Sequence, residues 1–167
     1  MLIPERPRPQ RTHADRWDSH DTDDTERLAI KGTCLCGAIE VTAEDKSDIN
    51  VCHCTVCRHW GGGSPLFAVH CGSGVTFGGR QKPAVYRSSD WAERGFCATC
   101  GTHLFYHLLP TDEYMLSAGI FGDEVGFRLS NQVFFDEKPD FYQFANETPT
   151  MAGDDLVAHF AESAKHH

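Results

Sequence analysis

No stretch of this 167-residue chain approaches the roughly 18 apolar residues of a membrane span. Its first 27 residues, MLIPERPRPQRTHADRWDSHDTDDTER, hold no apolar core of the length a signal peptide requires, so nothing in them directs export. The expectation is a cytoplasmic protein whose thiols stay reduced. Positive charge is also short: 15 Lys and Arg stand against 24 Asp and Glu, a net charge of −9. Such a surface excludes broad binding to a nucleic-acid backbone or to an anionic membrane, and no stripe of interleaved basic and aromatic residues offers an exception. Cysteine, by contrast, is plentiful. Seven of the eight fall into three tight groups, Cys34-Leu-Cys36, Cys52-His-Cys54-Thr-Val-Cys57 and Cys97-Ala-Thr-Cys100, and only Cys71 stands alone.

A chain of this length buries about two thirds of its unfolded surface as one domain, so disulfides are not required for folding. Residues 1–27 carry Pro4, Pro7 and Pro9 with many charges and few large apolar side chains, which predicts a flexible tail before a single domain over 28–167. Within that domain the signals are short and β-like, each bounded by turn residues. "AIEVTA" (38–43) sets Ile39 and Val41 on one face, and "PLFAVH" (65–70) follows the Gly61-Gly62-Gly63 turn. Runs at 75–79, 84–88, 94–97, 103–108, 114–120 and 132–135 continue the series at a spacing of about ten residues. The fold class is mainly β, with one helical turn at "TVCRHW" (55–60) and a short C-terminal helix at "DDLVAHFAESAK" (154–165) behind an Asp154 cap.

Four of the cysteines supply the ligands of a closed zinc site. Cys34 and Cys36 precede a strand, and Cys97 and Cys100 form a Cys-x-x-Cys knuckle whose Gly101 lets the chain curl around a metal. Buried thiols or a redox pair are the alternatives. A thioredoxin-type centre would place its Cys-x-x-Cys inside a βαβ unit, whereas "CATCGTHLFYHL" runs into a β pattern.

Cys52, Cys54 and Cys57 then remain, one ligand short of a closed tetrahedron. Catalytic zinc keeps three protein ligands and an open position. Three thiolates make the metal a poor activator of water but a good host for a soft ligand, so the implied chemistry is that of a thiol meeting a small electrophile. A second structural zinc, closed by Cys71, His59 or His70, is the competing reading, and a thiol oxidoreductase using Cys54 and Cys57 is a third. A non-catalytic zinc-binding interaction module stays open as well.

The order Cys-x-Cys-Gly, Cys-His-Cys-x-x-Cys-Arg and "RGFCATCGTHLF", followed by "VFFDEKPDFYQF" (133–144), resembles the glutathione-dependent formaldehyde-activating family from about Gly32 to Pro149. The resemblance implies a zinc-bearing β-tent of short antiparallel strands. It implies two zinc ions per chain, one structural on Cys34, Cys36, Cys97 and Cys100 and one catalytic on Cys52, Cys54 and Cys57. It also implies carbon–sulfur lyase or synthase activity joining a glutathione-type thiol to a small aldehyde such as formaldehyde, or separating them. An acid must protonate the new alkoxide, and His53, between two ligands, is the candidate. Arg58, beside Cys57, is the first candidate to grip a substrate carboxylate, with Arg87 and Arg94 behind it.

Overall fold

The computed structural model describes residues 29–44, 46–122 and 125–163; the expected tail over 1–27 lies outside the described residues, as do the terminal His166 and His167. Strands β1 (Ala29–Thr33), β2 (Ile39–Glu44) and β3 (Asp48–Cys52) lead into helix α1 (Thr55–Trp60). Then come β4 (Leu66–Gly72), β5 (Thr76–Gly79), β6 (Ala84–Arg87), β7 (Ala92–Phe96), β8 (His103–Leu108) and β9 (Glu113–Ser117). A 3₁₀ turn at Ala118–Ile120, β10 (Arg128–Val133), a second 3₁₀ turn at Phe135–Glu137, β11 (Thr150–Met151) and α2 (Gly153–Ser163) complete the described chain.

The strands form two sheets. One holds β1, β2 and β5 in that order; the other runs β11-β10-β3-β4-β9-β8-β7-β6. The mainly β expectation holds, and most ladders are antiparallel. Strand β10 departs from that pattern by running parallel to both of its neighbours, β3 and β11. The polar run "DINVC" of β3 gives little strand signal in the sequence, yet it lies near the middle of the large sheet because β4 and β10 satisfy both of its edges.

The alternation seen in "AIEVTA" is real: Ile39, Val41 and Ala43 of β2 are buried while Glu40 and Glu44 face out. Their face meets Val69 of β4, Leu104 and Phe105 of β8, and Leu116 of β9 in one apolar core. Each fully buried aliphatic side chain there contributes about 1.5–3 kcal/mol relative to exposure. Cys71 belongs to the same core, and burial pushes its thiol up to about 11, so it stays protonated at neutral pH.

Several sequence boundaries move, two of them for a visible local reason. The run at 132–135 stops at Val133 because Phe134 takes a left-handed conformation (φ 52°), which turns the chain into the 3₁₀ turn. Helix α2 begins at Gly153, whose N–H donates to Asp136 Oδ1 at 2.8 Å, so Asp154 sits in the first turn instead of capping it.

Gly95 marks the tightest approach within β7. A Cβ there would overlap the Phe105 ring, which is itself held by Phe77 and Tyr114 at centroid distances of 5.0 and 5.2 Å. Gly95→Ala is expected to cost about 1–3 kcal/mol of stability through overpacking. Thermal unfolding followed by circular dichroism checks this, and an unchanged midpoint would mean that the ring finds room elsewhere.

Candidate metal centres and the site around them

The two halves of the four-cysteine group come from separate turns that the sheets bring together. Cys34 and Cys36 follow β1; Gly37 (φ 68°) closes the turn, its N–H donating to Cys34 O at 2.9 Å. Cys97 and Cys100 follow β7, and Gly101 (φ 75°) repeats the device with Cys97 O at 2.8 Å. Both glycines adopt a conformation that a side chain would strain. The four Sγ atoms lie within 4.8 Å of one another, with Cys34–Cys36 at 3.5 Å and Cys36–Cys97 at 3.8 Å. A tetrahedral zinc with Zn–S bonds of about 2.3 Å has sulfur–sulfur edges of about 3.8 Å, so the donor set fits such an ion. Thr102, whose hydroxyl lies 3.1 Å from Cys100 Sγ, holds that thiol down to about 5.

The second group is built at the end of β3. Register with β10 places Cys52 opposite Val133, and His53 N–H donates to Val133 O at 3.0 Å, which anchors the ligand loop at the end of this strand pair. Cys54 caps α1, its sulfur accepting from Cys57 N–H at 3.3 Å, and Cys57 lies buried one turn in. The three sulfurs lie within 4.8 Å of one another and could hold a metal ion; among the described residues no fourth Cys, His, Asp or Glu joins them. His59, His70 and Cys71 therefore do not close the group. His70 instead pairs with Glu113 at 3.4 Å. The Cys52 and Cys57 thiols beside it hold Cys54 down to about 2, while Cys52 is pushed up by sharing its proton with Cys54.

His53 lies between two ligands in sequence, but it is fully buried and does not belong to the group of donors. Nδ1 lies 2.7 Å from the Tyr142 hydroxyl and Nε2 lies 3.0 Å from Gln132 Oε1. Gln132 Nε2 donates to Thr148 Oγ1 at 2.8 Å, which directs its Oε1 toward the imidazole. The network thus assigns the Nε2–H tautomer: His53 donates to Gln132 and accepts from Tyr142. Burial lowers its pKa, with Gln132 opposing, so the ring is neutral at pH 7. His53, the acid candidate of the sequence, thus has both ring nitrogens engaged.

The predicted arginines separate sharply. Arg58 Nε donates to His53 O at 2.8 Å and its Nη2 to Thr55 Oγ1 at 3.3 Å, which ties the ligand loop to α1. Arg87 folds onto the carbonyls of Ser89 and Asp90 in its own turn. Arg94 alone reaches the cysteines, Nη2 lying 3.4 Å from Cys57 Sγ.

Several residues of the site escape a sequence reading. Phe135, Tyr142 and Phe144 wall the His53 ring at centroid distances of 5.6–5.9 Å. Glu137 accepts from Thr55 N–H at 2.6 Å and from its hydroxyl at 2.7 Å, which clamps the start of α1. All four lie in the stretch at 133–144, whose only signal is its resemblance to a family motif. Beyond Gln132 a cavity of about 450 Å³ opens, lined among others by Lys138, Gln143, Asn146 and Thr148.

Residues 29–137, two thirds of the chain, match the family described as glutathione-dependent formaldehyde-activating enzyme. The chain belongs to this family. An uncharacterized lyase of Schizosaccharomyces pombe is 34% identical over 129 residues, which cover 76% of this chain and 93% of that protein. A solved structure of a Rhodobacter sphaeroides protein aligns with 22% identity and a TM-score of 0.48 over 72% of this chain and 99% of its own. Family membership agrees with the cysteine order, since both groups lie inside the matched residues. Among the described residues no helix is long and apolar enough to cross a membrane.

Proposed function

We propose that the protein is a zinc-dependent carbon–sulfur lyase or synthase that joins a glutathione-type thiol to a small aldehyde such as formaldehyde, and releases them in reverse. The observation that carries this reading is the three-cysteine group, complete as a donor set except for one position. Cys52, Cys54 and Cys57 would hold a zinc ion through three thiolates, and such an ion would supply a soft-ligand position suited to keeping an incoming thiol ionised. The four-cysteine group, closed and holding two turns together, takes the structural ion.

In the forward direction the substrate sulfur attacks the aldehyde carbon. The new S–C bond forms as the carbonyl π pair moves to oxygen, and the thiol proton, released to solvent, is matched by one taken up by that oxygen. The chain's own residues chiefly position these partners. Val133 and Glu137 hold the two ends of the Cys52–Thr55 loop, and Arg58 spans it. Neutral His53 has no proton to give toward Tyr142: its one ring proton, on Nε2, is committed to Gln132, and Nδ1 accepts from the Tyr142 hydroxyl. Arg58 keeps N–H donors beyond the two it spends on the loop, so it can still meet a substrate carboxylate. The cavity beyond Gln132, rich in amide and hydroxyl groups, suits the peptide-like body of such a thiol.

Thiols add to formaldehyde unaided, so the test must measure rate and not product. Exchange between free and hydroxymethylated glutathione, read by NMR, is expected to accelerate in proportion to protein carrying two zinc ions per chain. Exchange at the uncatalysed rate, with a single tightly held zinc, would overturn the reading.

A further inference from the structure

Arg94 projects from β7, and its residue is only 3% exposed. An arginine cannot shed its proton in a protein, and a buried charge is costly unless an opposite charge compensates it. Among the described residues no carboxylate forms an ion pair with Arg94. Its Nε has no hydrogen-bond partner, and Nη2 points at the Cys57 sulfur from 3.4 Å. The guanidinium is held in that pose by two rings, Trp60 of α1 at 5.9 Å and Tyr106, its cross-strand partner on β8, at 5.2 Å. Trp60 is fixed in turn against Tyr86, Phe96 and His103. Among the described residues, the only sulfur or carboxylate to which the arginine is bonded is therefore Cys57 of the three-cysteine cluster. The four-cysteine group is bonded to no cation among the described side chains.

Three thiolates around a divalent ion leave one surplus negative charge, and a fourth anionic sulfur would add another inside a partly buried site. We propose that Arg94 is the positioning residue that offsets this surplus, so that the three-cysteine site admits an anionic sulfur in preference to a neutral fourth ligand. The hydrogen bond to Cys57 withdraws electron density from one ligand already in place, and the fixed positive charge attracts the next. The inference rests on the open-site reading of the cluster and adds its selectivity.

Cobalt(II)-substituted protein tests it. Titration with 2-mercaptoethanol, which has no carboxylate for an arginine to grip, reports anionic sulfur through the sulfur-to-cobalt charge-transfer band; imidazole reports a neutral ligand. Arg94→Met is expected to weaken the thiol response about tenfold or more, the size of a lost charged hydrogen bond, while leaving imidazole binding unchanged. Arg94→Lys should recover part of it, because the ammonium restores charge without the planar fork. Equal weakening for both ligands, or no change, would overturn the proposal and mark Arg94 as structural. Should Arg94→Met fail to fold, Arg94→Gln against Arg94→Lys carries the same comparison, and equal thiol-to-imidazole ratios overturn it. A wild-type protein that takes up no thiol at all would overturn the functional reading along with this one.

Discussion

Cys97→Ser is expected to leave the domain without a cooperative unfolding transition at 25 °C, with the near-ultraviolet circular dichroism of the native protein lost. Cys97 is fully buried and contributes to a group that joins the turn after β1 to the turn after β7, so its loss frees both sheets at once. Apparent free energies for a structural zinc of this kind run to about 10–16 kcal/mol, which equals or exceeds the roughly 5–15 kcal/mol by which most domains are stable. Serine leaves a hard, protonated oxygen where a thiolate is needed and a polar group without compensation. Retention of a sharp melting transition in Cys97→Ser would show that the core formed by Ile39, Val69, Leu104 and Leu116 is sufficient and that the ion is secondary.

Cys54→Ser should have the opposite profile. The folded spectrum and melting behaviour persist, one of the two zinc ions is lost, and acceleration of glutathione exchange disappears. The reason lies in where the three-cysteine loop is anchored. The backbone bond from His53 N–H to Val133 O and the bond from Thr55 N–H to the Glu137 carboxylate, together with the buried His53 ring, hold the loop by contacts that involve no sulfur. Removing one thiolate thus breaks the donor set without releasing the chain, although the cap that Cys54 Sγ provides for Cys57 N–H is weakened. Zinc quantification by mass spectrometry, paired with thermal melts, separates the cases. Global unfolding of Cys54→Ser would assign the cluster a structural role and withdraw the open position from the mechanism.

Much of the donor chemistry was legible because metal ligation is a short-range demand written in residue type and spacing. A Cys-x-x-Cys turn can point two sulfurs at one ion wherever it lies, so the division of seven cysteines into four and three followed from the sequence, and the structure groups them in that way. Period-two alternation revealed β2 for a similarly local reason, and the β7 and β8 runs were visible as short bounded segments. Strand β3 was not visible: its polar residues become a central strand only when β4 and β10 arrive to satisfy its backbone.

His53 and the arginines show the limit most clearly. Adjacency to Cys52 and Cys54 made His53 the acid candidate, and Gln132, Thr148 and Tyr142, between 79 and 95 positions away in sequence, set its tautomer and occupy both nitrogens. Arg58, next to Cys57 in sequence and chosen there to grip a substrate carboxylate, spends two donors on its own loop, while among the described residues the cation bonded to the cluster is Arg94, delivered by a strand 37 residues later. The sequence by itself determined which atoms can bind metal, that the chain is mainly β, and that its overall charge is negative, because each depends on residue identity or near-neighbour pattern. Only the tertiary structure decided which histidine is neutral, which arginine is buried against sulfur and which rings hold it there. Electrostatic partners are chosen by distance through space, and strand pairing sets that distance between residues that the chain keeps far apart.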